Sequence, residues 1–398
     1  MTPTQDLRPT IERFQSIGLA VGALGLIALL IGMFRSPKTG FESYLWAYIF
    51  WSGITLGCLG VYLLHNVVGG NWGVVIRRFL ESGVRTLPLI LIGVIPVVVG
   101  MYLGYLYIWT NPDYVNHAPS VAVKRGYLSP WFFVVRVIIY FSVWFIWGFR
   151  LLRLSDEQDR TGDPQQLIQS RMKKFSAPGL VLFVFTFCWA MIDWIMSLQP
   201  EWFSTIFPWW FMCGQTLLTL SFVVALLVLF SKSKPFAGLI NFQHYNDLAN
   251  MMLCFTMLWA YMGFGQFLLI WAENLPEEIP WFLRRFSNGW GYLAFFIAIF
   301  HFFVPFVLLL MRFITRNPKT LYWVAIWIIA IRLIDVFWVV IPAFEGRDRY
   351  LVITWTDVAA AIGMGGIWLA LFLWHLKSRP LLPLHDPRLG YHTLQSEA

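Results

Sequence analysis

The sequence is poor in charge. Of its 398 residues, 13% are Asp, Glu, Lys or Arg and 58% are hydrophobic, whereas a soluble domain is about a quarter charged. This composition excludes an ordinary water-soluble domain. The net charge of +8 does not indicate nucleic-acid binding, because the basic residues lie in short connections between apolar runs and form no basic helix or patch.

Cysteine is also scarce. The four cysteines each lie inside an apolar run, and no C-x-x-C or C-x-x-C-H pair occurs. An iron–sulfur cluster or a c-type haem therefore has no obvious site. We predict unpaired, buried thiols that pack as small hydrophobic groups, and a chain that binds no redox cofactor of its own. These residues are Cys58, Cys188, Cys213 and Cys254.

Long apolar runs and aromatic residues are abundant. The chain has 22 Trp, and aromatic residues make up 18% of it, which is typical of membrane interfaces. A helix needs roughly 20 apolar residues to cross the hydrocarbon layer. Ten runs meet this length and predict an all-α integral membrane protein. They are 14–34, 44–66, 85–109, 130–150, 178–198, 208–230, 249–272, 288–312, 321–342 and 353–376.

The connections indicate orientation and layout. Most of the 29 Lys and Arg residues lie on the side of both termini, which predicts cytoplasmic termini. Because four crossings return a chain to its starting side, we predict two four-helix bundles, 44–198 and 208–342. The helices 14–34 and 353–376 then flank them in one membrane domain, 1–398. The longest connections, 110–129 and 151–177, are too short for a domain with its own core.

Ionisable residues inside the apolar runs are the candidate functional groups. Each costs roughly 2.5–3.5 kcal/mol near the bilayer centre, so such groups usually face protein or a water-filled cavity. Arg332 and Asp335 are three residues apart and share a helix face. They are either a self-neutralising pair or an element of a proton relay, and the two interpretations are compatible.

Asp193 has no partner within its own run. Arg136, at a similar depth in the preceding run, is the best candidate. Asp193 is then a buried ion pair, a protonatable group on a water-lined path, or a ligand contact. His301, near the middle of run eight, is either a proton-bearing group or a hydrogen-bonded core histidine.

Further candidates lie near the ends of the runs. His65, His244 and Asp247 lie toward the cytoplasmic side, where the histidines lie too close to helix ends to favour a b-type haem. Glu273 and Asp357 lie toward the outer side, as a solvated acidic rim, a mouth for protons or a docking surface. Together with Asp193, Arg136, His301, Arg332 and Asp335, they are the candidate proton path.

Two stretches resemble the membrane subunits of alternative complex III. They are "DWIMSLQPEWFSTIFPWW" (193–210) and "HYNDLANMMLCFTMLWAYMGFGQFLLIWAENLPEEIPWFLRR" (244–285). By its length the chain is similar to the shorter of the two large membrane subunits, the F subunit. The resemblance implies an NrfD-like (polysulfide-reductase-like) fold. Asp193 and the aromatic turn after it match the family motif.

The resemblance also implies a function. It places the chain in the inner membrane of a bacterium, in a complex that oxidises quinol, such as menaquinol, and reduces a cytochrome c or a cupredoxin. The expected partners are an NrfD-like C subunit that binds quinol, an iron–sulfur B subunit and subunits with c haems. In that complex this chain is expected to be a proton path and a scaffold without a redox centre. The complex serves respiration or photosynthesis.

Two alternatives stay open. A subunit that itself binds and oxidises quinol needs a protonatable pair beside a lipid-accessible cleft. An autonomous secondary transporter needs broken half-helices around a site at mid-membrane depth, and the sequence shows no convincing pair of short, Gly/Pro-interrupted runs.

Overall fold

The computed structural model describes residues 7–233, 236–383 and 386, and every regular element among them is helical. Within these ranges, nine helices are long and apolar enough to cross a membrane, or ten if one bent pair counts as a single span. The all-α, multi-pass prediction is thereby confirmed at this level. The division into two four-helix bundles stays a prediction.

The helices are numbered in chain order. The first eight are α1 Arg8–Arg35, α2 Pro37–Val68, α3 Asn71–Val84, α4 Leu87–Tyr102, α5 Pro112–His117, α6 Pro119–Ala122, α7 Pro130–Thr161 and α8 Leu167–Trp194. The rest are α9 Phe207–Phe230, α10 Phe242–Glu273, α11 Ile279–Phe286, α12 Trp290–Ile297, α13 Val304–Leu310, α14 Arg312–Thr315, α15 Pro318–Val340 and α16 Trp355–Lys377. Three 3₁₀ turns, Ile108–Thr110, Met196–Leu198 and Ile341–Ala343, and a π-helical segment, Ala298–Phe303, complete them.

The third predicted span is broken. Helices α3 and α4 meet at a bend of 42° around 85–86. Pro88 lies in the first turn of α4, and its missing N–H cannot continue the hydrogen bonding of α3. The prediction of one span over 85–109 was wrong at both ends, since the broken span begins in α3 and α4 ends at Tyr102.

The predicted connection 151–177 was also wrong. Helix α7 continues to Thr161 and α8 begins at Leu167, so only 162–166 connect them. The extra turns are polar, as in "SDEQDR" (155–160). Hydropathy finds only the part of a helix that lies in hydrocarbon, and these turns extend beyond it.

Helices α2 and α9 form the centre of the molecule. The most apolar stretch of α2 is 83% buried and that of α9 is 78% buried, against 22% for α1. Helix α2 packs against α3, α8, α9 and α16, and α9 packs against α10 and α15. Helix α1 lies at the edge, in close contact with α16. A Cβ added at Gly22 would stand 2.5 Å from the backbone nitrogen of Ile367, so the two backbones meet at glycine.

The bundle has a terminal side and a distal side. Glu12, in the first turns of α1, pairs with Lys377 at the end of α16 at 3.5 Å, so these two helix ends share one side, the terminal side. The connections 103–129, 199–206, 274–289 and 344–354 lie on the other side, the distal side. Cytoplasmic termini stay a prediction.

The cysteines are all free, as expected, but not all buried. Cys58, Cys188 and Cys213 are buried, whereas Cys254 is exposed on α10. The expectation of burial was wrong for Cys254, because an apolar run does not distinguish a face that packs on protein from one that faces lipid.

Candidate functional site

Asp193 lies at the end of α8 and is completely buried. Arg136 on α7 donates from Nε to Oδ2 at 2.7 Å, so the predicted partner is confirmed. Tyr140, one turn after Arg136, donates to the same oxygen at 2.7 Å, and Tyr127 donates to Oδ1 at 2.9 Å. Both carboxylate oxygens are therefore hydrogen-bonded. These four residues are the Asp193 site.

The cation of the Asp193 site is held from a second direction. Arg136 Nη1 donates to the backbone oxygen of Tyr127 at 2.8 Å, and the guanidinium lies 3.9 Å from the Tyr127 ring centroid and 4.6 Å from that of Phe132. Burial and the nearby Asp193 carboxylate raise the pKa of Tyr127, so its hydroxyl stays a donor. The geometry favours the ion-pair interpretation of Asp193.

Asp335 lies in the last third of α15, where Arg332 donates from Nη1 to its Oδ2. Both side chains are completely buried. Arg332 Nη2 also donates to the backbone oxygen of Phe211 at 3.3 Å. The Arg332 guanidinium can lie here because residue 214 is a glycine. A Cβ at Gly214 would stand 2.4 Å from the guanidinium carbon. The predicted pairing of Arg332 with Asp335 is confirmed.

His301 faces the same carboxylate from a neighbouring element. It lies in the π-helical segment Ala298–Phe303, a form of helix that occurs often at functional sites. Its Nδ1 is 3.6 Å from Asp335 Oδ2, and its ring centroid is 4.1 Å from that of Trp259. Among the described residues, neither imidazole nitrogen has a hydrogen-bond partner. Asp335, Arg332, His301 and Trp259 are the Asp335 site.

The Asp335 site borders a cleft of about 660 Å³ formed by α9, α10, α11, α12, the π-helical segment and α15. Its walls are almost entirely aromatic and aliphatic. Exposed rings of Phe264, Phe295 and Phe303 lie along it, so it opens sideways, where a membrane helix meets lipid. Three buried polar atoms of its lining lack a hydrogen-bond partner of normal geometry in the described chain: Asp335 Oδ1, Trp210 Nε1 and Trp259 Nε1.

A buried arginine supports the distal end of the cleft. Arg285 on α11 is stacked on Trp281 at 3.9 Å and donates to the Val339 backbone oxygen at 2.6 Å and to Gln199 Oε1 at 2.9 Å. Burial lowers the pKa of Arg285 well below its usual value. This arginine joins α11 to α15 and holds Trp281 in the cleft wall.

Asp357, predicted at an acidic rim, is buried instead. It lies in the first turn of α16 and accepts hydrogen bonds from Ser43, Thr354 and Arg347. Glu42 on α2 is also buried beside Arg347. Glu42, Ser43, Arg347, Thr354 and Asp357 are the distal cluster.

A second ionic network, which the sequence did not predict, lies on the terminal side. Arg77 and Arg78, expected in a connection, lie in α3 and are buried. Arg77 pairs with Glu81 at 2.9 Å and with Asp386 at 2.9 Å, and Arg78 pairs with Glu81 at 2.6 Å and with Asp159 at 2.5 Å. The chain after α16 is thereby anchored against α3.

The remaining candidates are dispersed. His65 is buried at the end of α2, with its ring 5.1 Å from that of Trp72. His244 is buried in the first turn of α10, where its side chain bonds the Asn241 backbone. Asp247 is partly exposed nearby, and Glu273 is exposed at the other end of α10. The ten predicted residues thus occupy separate places, and only Asp193 with Arg136, and Asp335 with Arg332 and His301, come together.

Some of the missed residues left a signal in the sequence. Tyr140 is four positions after Arg136 and so shares its helix face, which would have placed it at Asp193. Glu42 and Arg347 are separated by about three quarters of the chain, and nothing local predicts their contact. Within the described residues no three His, Cys, Asp or Glu side chains are grouped to hold a metal ion.

Comparisons with known proteins assign no family: no protein-family model and no curated protein sequence matches the chain.

Proposed function

We propose that this chain is a membrane subunit of a quinol:electron-acceptor oxidoreductase of the alternative complex III type, in which Asp335 takes up and releases protons. The proposal combines the sequence resemblance with the geometry of one site. In it, the chain lies in a bacterial inner membrane with both termini in the cytoplasm. Iron–sulfur clusters and c haems belong to partner subunits, and this chain supplies a proton path and a scaffold.

The observation that carries the proposal is the incomplete bonding of Asp335. A carboxylate moves protons only if its bonding can change when it becomes protonated. Asp335 has one oxygen on Arg332 and another that, among the described residues, lacks a hydrogen bond of normal geometry, and His301 lies 3.6 Å away as a second acceptor or donor. A short shift of the π-helical segment brings the imidazole into hydrogen-bond distance. Protonation of Asp335 then releases Arg332 toward Phe211.

A second candidate function is favoured by the cleft itself. Its walls are apolar, its opening faces sideways, and its few buried polar atoms include the carboxyl of Asp335. An apolar cleft with a few polar atoms fits a lipid-soluble ring with hydrogen-bonding oxygens, such as a quinone. In this role the chain binds quinol, and Asp335 receives a proton from a quinol hydroxyl.

The decisive experiment compares Asp335→Asn with Asp193→Asn in the purified complex. The first variant removes the proposed proton carrier, and we expect quinol turnover to fall about 100-fold or more. The second removes a charge from a closed ion pair, and we expect turnover within a few-fold of wild type. Haem content and subunit composition are the controls for assembly. Full turnover of Asp335→Asn would end the proposal, and so would purification of the chain without haem-containing partners.

The second candidate is tested by filling the cleft. Ala294 lies in its wall, and Ala294→Trp places an indole inside it. If quinone binds there, the purified variant loses the quinone that co-purifies with the wild-type chain. Equal quinone content in both proteins would exclude the cleft as the binding site, while leaving the proton-carrying role of Asp335 untouched.

A further inference from the structure

The distal cluster contains two buried carboxylates and one arginine, and the arginine is committed to one of them. Arg347 donates to Asp357 from Nη2 at 2.5 Å and from Nη1 at 3.1 Å. Asp357 also accepts from Ser43 Oγ at 2.7 Å and from the Thr354 backbone nitrogen and hydroxyl, each at 2.8 Å. With five donors, Asp357 is bound as a carboxylate anion.

The Glu42 carboxyl has few groups beside it that could stabilise a negative charge. Its residue exposure is 1%, so it is as deeply buried as Asp357. Its Oε2 is 3.9 Å from Arg347 Nη1, beyond a hydrogen bond, and its Oε1 has no hydrogen-bond partner among the described residues. A buried carboxylate without hydrogen bonds is strongly disfavoured, whereas a neutral carboxylic acid is tolerated.

The surrounding charges do not reverse this preference of Glu42 for the neutral carboxylic acid. Three charged groups face Glu42: Arg347 from the connection before α16, Asp357 from α16, and Lys38 from the first turn of α2. Lys38 is exposed, so water screens its charge. Arg347 neutralises Asp357, and no buried cation remains for Glu42 in this cluster.

We infer that Glu42 holds an exchangeable proton on the distal side and that Arg347 is its alternative counter-ion. When the Glu42 carboxyl loses its proton to water, the new carboxylate attracts Arg347 Nη1 across the 3.9 Å gap. The guanidinium then bridges Glu42 and Asp357, and reprotonation returns it to Asp357 alone. No other bond is made or broken. The inference rests on the proposed function only in making this the distal end of the proton path.

Infrared difference spectroscopy of the full chain, purified without quinol, tests the inference. A protonated carboxyl has a carbonyl stretch that a carboxylate lacks. We expect wild-type protein to lose such a band as the pH is raised, and Glu42→Gln to lack that component at every pH. Glu42→Asp keeps a carboxyl and is expected to shift the band. Glu345→Gln, which replaces an exposed acid of the same connection, is the matched control and should leave the Glu42 component unchanged.

Arg347→Gln sharpens the test. Without the alternative counter-ion, deprotonation of Glu42 loses its stabilisation, so the band should persist to a higher pH than in wild type. A band that survives in Glu42→Gln and disappears in Asp357→Asn would overturn the inference by assigning the proton to Asp357. The measurement requires no turnover, so it stands or falls separately from the result of Asp335→Asn.

Discussion

Two aspartates are buried at comparable places in this molecule, and their surroundings differ. Each lies near the end of a long helix, seven residues before a proline, Pro200 after Asp193 and Pro342 after Asp335, and each faces an arginine. At Asp193 two tyrosine hydroxyls complete the bonding of both oxygens. At Asp335 one oxygen lacks a hydrogen bond of normal geometry within the described part of the chain, and the carboxyl borders a cleft.

The difference shows that burial alone does not identify a functional acid. A buried ion pair with every oxygen bonded is stable only in one charge state, so it fixes the packing of α7 on α8. A buried acid with an open oxygen, a nearby imidazole and adjacent space has more than one favourable arrangement. Bonding, rather than depth, separates the two roles.

The largest expected effect is on stability. Arg136→Met leaves the Asp193 carboxylate without its cation, and breaking a buried pair costs about 3–5 kcal/mol. Arg332→Met should cost clearly less, because Asp335 has cleft space in which a proton or water relieves its charge. Thermal unfolding of the two purified variants measures both. Equal losses would remove the distinction between the sites.

The next effect concerns the tyrosine that completes the Asp193 site. Tyr140→Phe removes one hydrogen bond to a buried charged group, which is worth about 1.5–3 kcal/mol. Tyr127→Phe should cost less, since that residue is partly exposed. The melting temperature should therefore fall more in Tyr140→Phe than in Tyr127→Phe, with turnover retained in both variants. Loss of turnover in Tyr140→Phe at normal stability would instead make the Asp193 site part of the proton path.

A somewhat smaller effect is expected from the glycine beneath Arg332. Gly214→Ala places a methyl group where the guanidinium lies, and overpacking of this kind costs about 1–3 kcal/mol. Because Arg332 must move away from Asp335, turnover should also decrease. Gly265→Ala, on α10 with open space where an added Cβ would stand, is the control. Normal turnover in Gly214→Ala would show that the exact position of Arg332 is unimportant.

The smallest stability effects are expected from apolar double variants. Replacing a buried ion pair by hydrophobic residues is often neutral, so Arg136→Met/Asp193→Leu and Arg332→Met/Asp335→Leu should both insert and melt close to wild type. Only the second pair should lose turnover. If the Arg332/Asp335 double variant turns over normally, that pair has no part in moving protons.

Much of the framework follows from composition. Hydropathy locates the membrane helices because lipid selects apolar length, and equal depth in adjacent spans was enough to pair Arg136 with Asp193. The polar turns of α7 and the bend between α3 and α4 were not predicted, because they lie outside hydrocarbon or depend on packing. The burial of Arg77 and Arg78 was also not predicted, because a basic pair beside an apolar run is typical of a connection between helices.

The candidate site was predictable only in part. The spacing of three residues along one helix predicted the pairing of Arg332 with Asp335. The approach of His301 depends on a π-helical segment, whose extra residue per turn leaves no periodic signal, and Trp259 and the cleft depend on how α10, α12 and α15 pack. Contacts between Glu42 and Arg347 join distant parts of the chain, so they require the fold.

The glycine contact between α1 and α16 has a consequence for biogenesis. Helix α1 is the first described membrane helix to leave the ribosome and α16 the last, yet α16 is its most extensive neighbour. During synthesis the glycine face of α1 therefore meets lipid or an insertion factor until α16 has been made. A product that stops before Trp355 leaves that face of α1 uncovered.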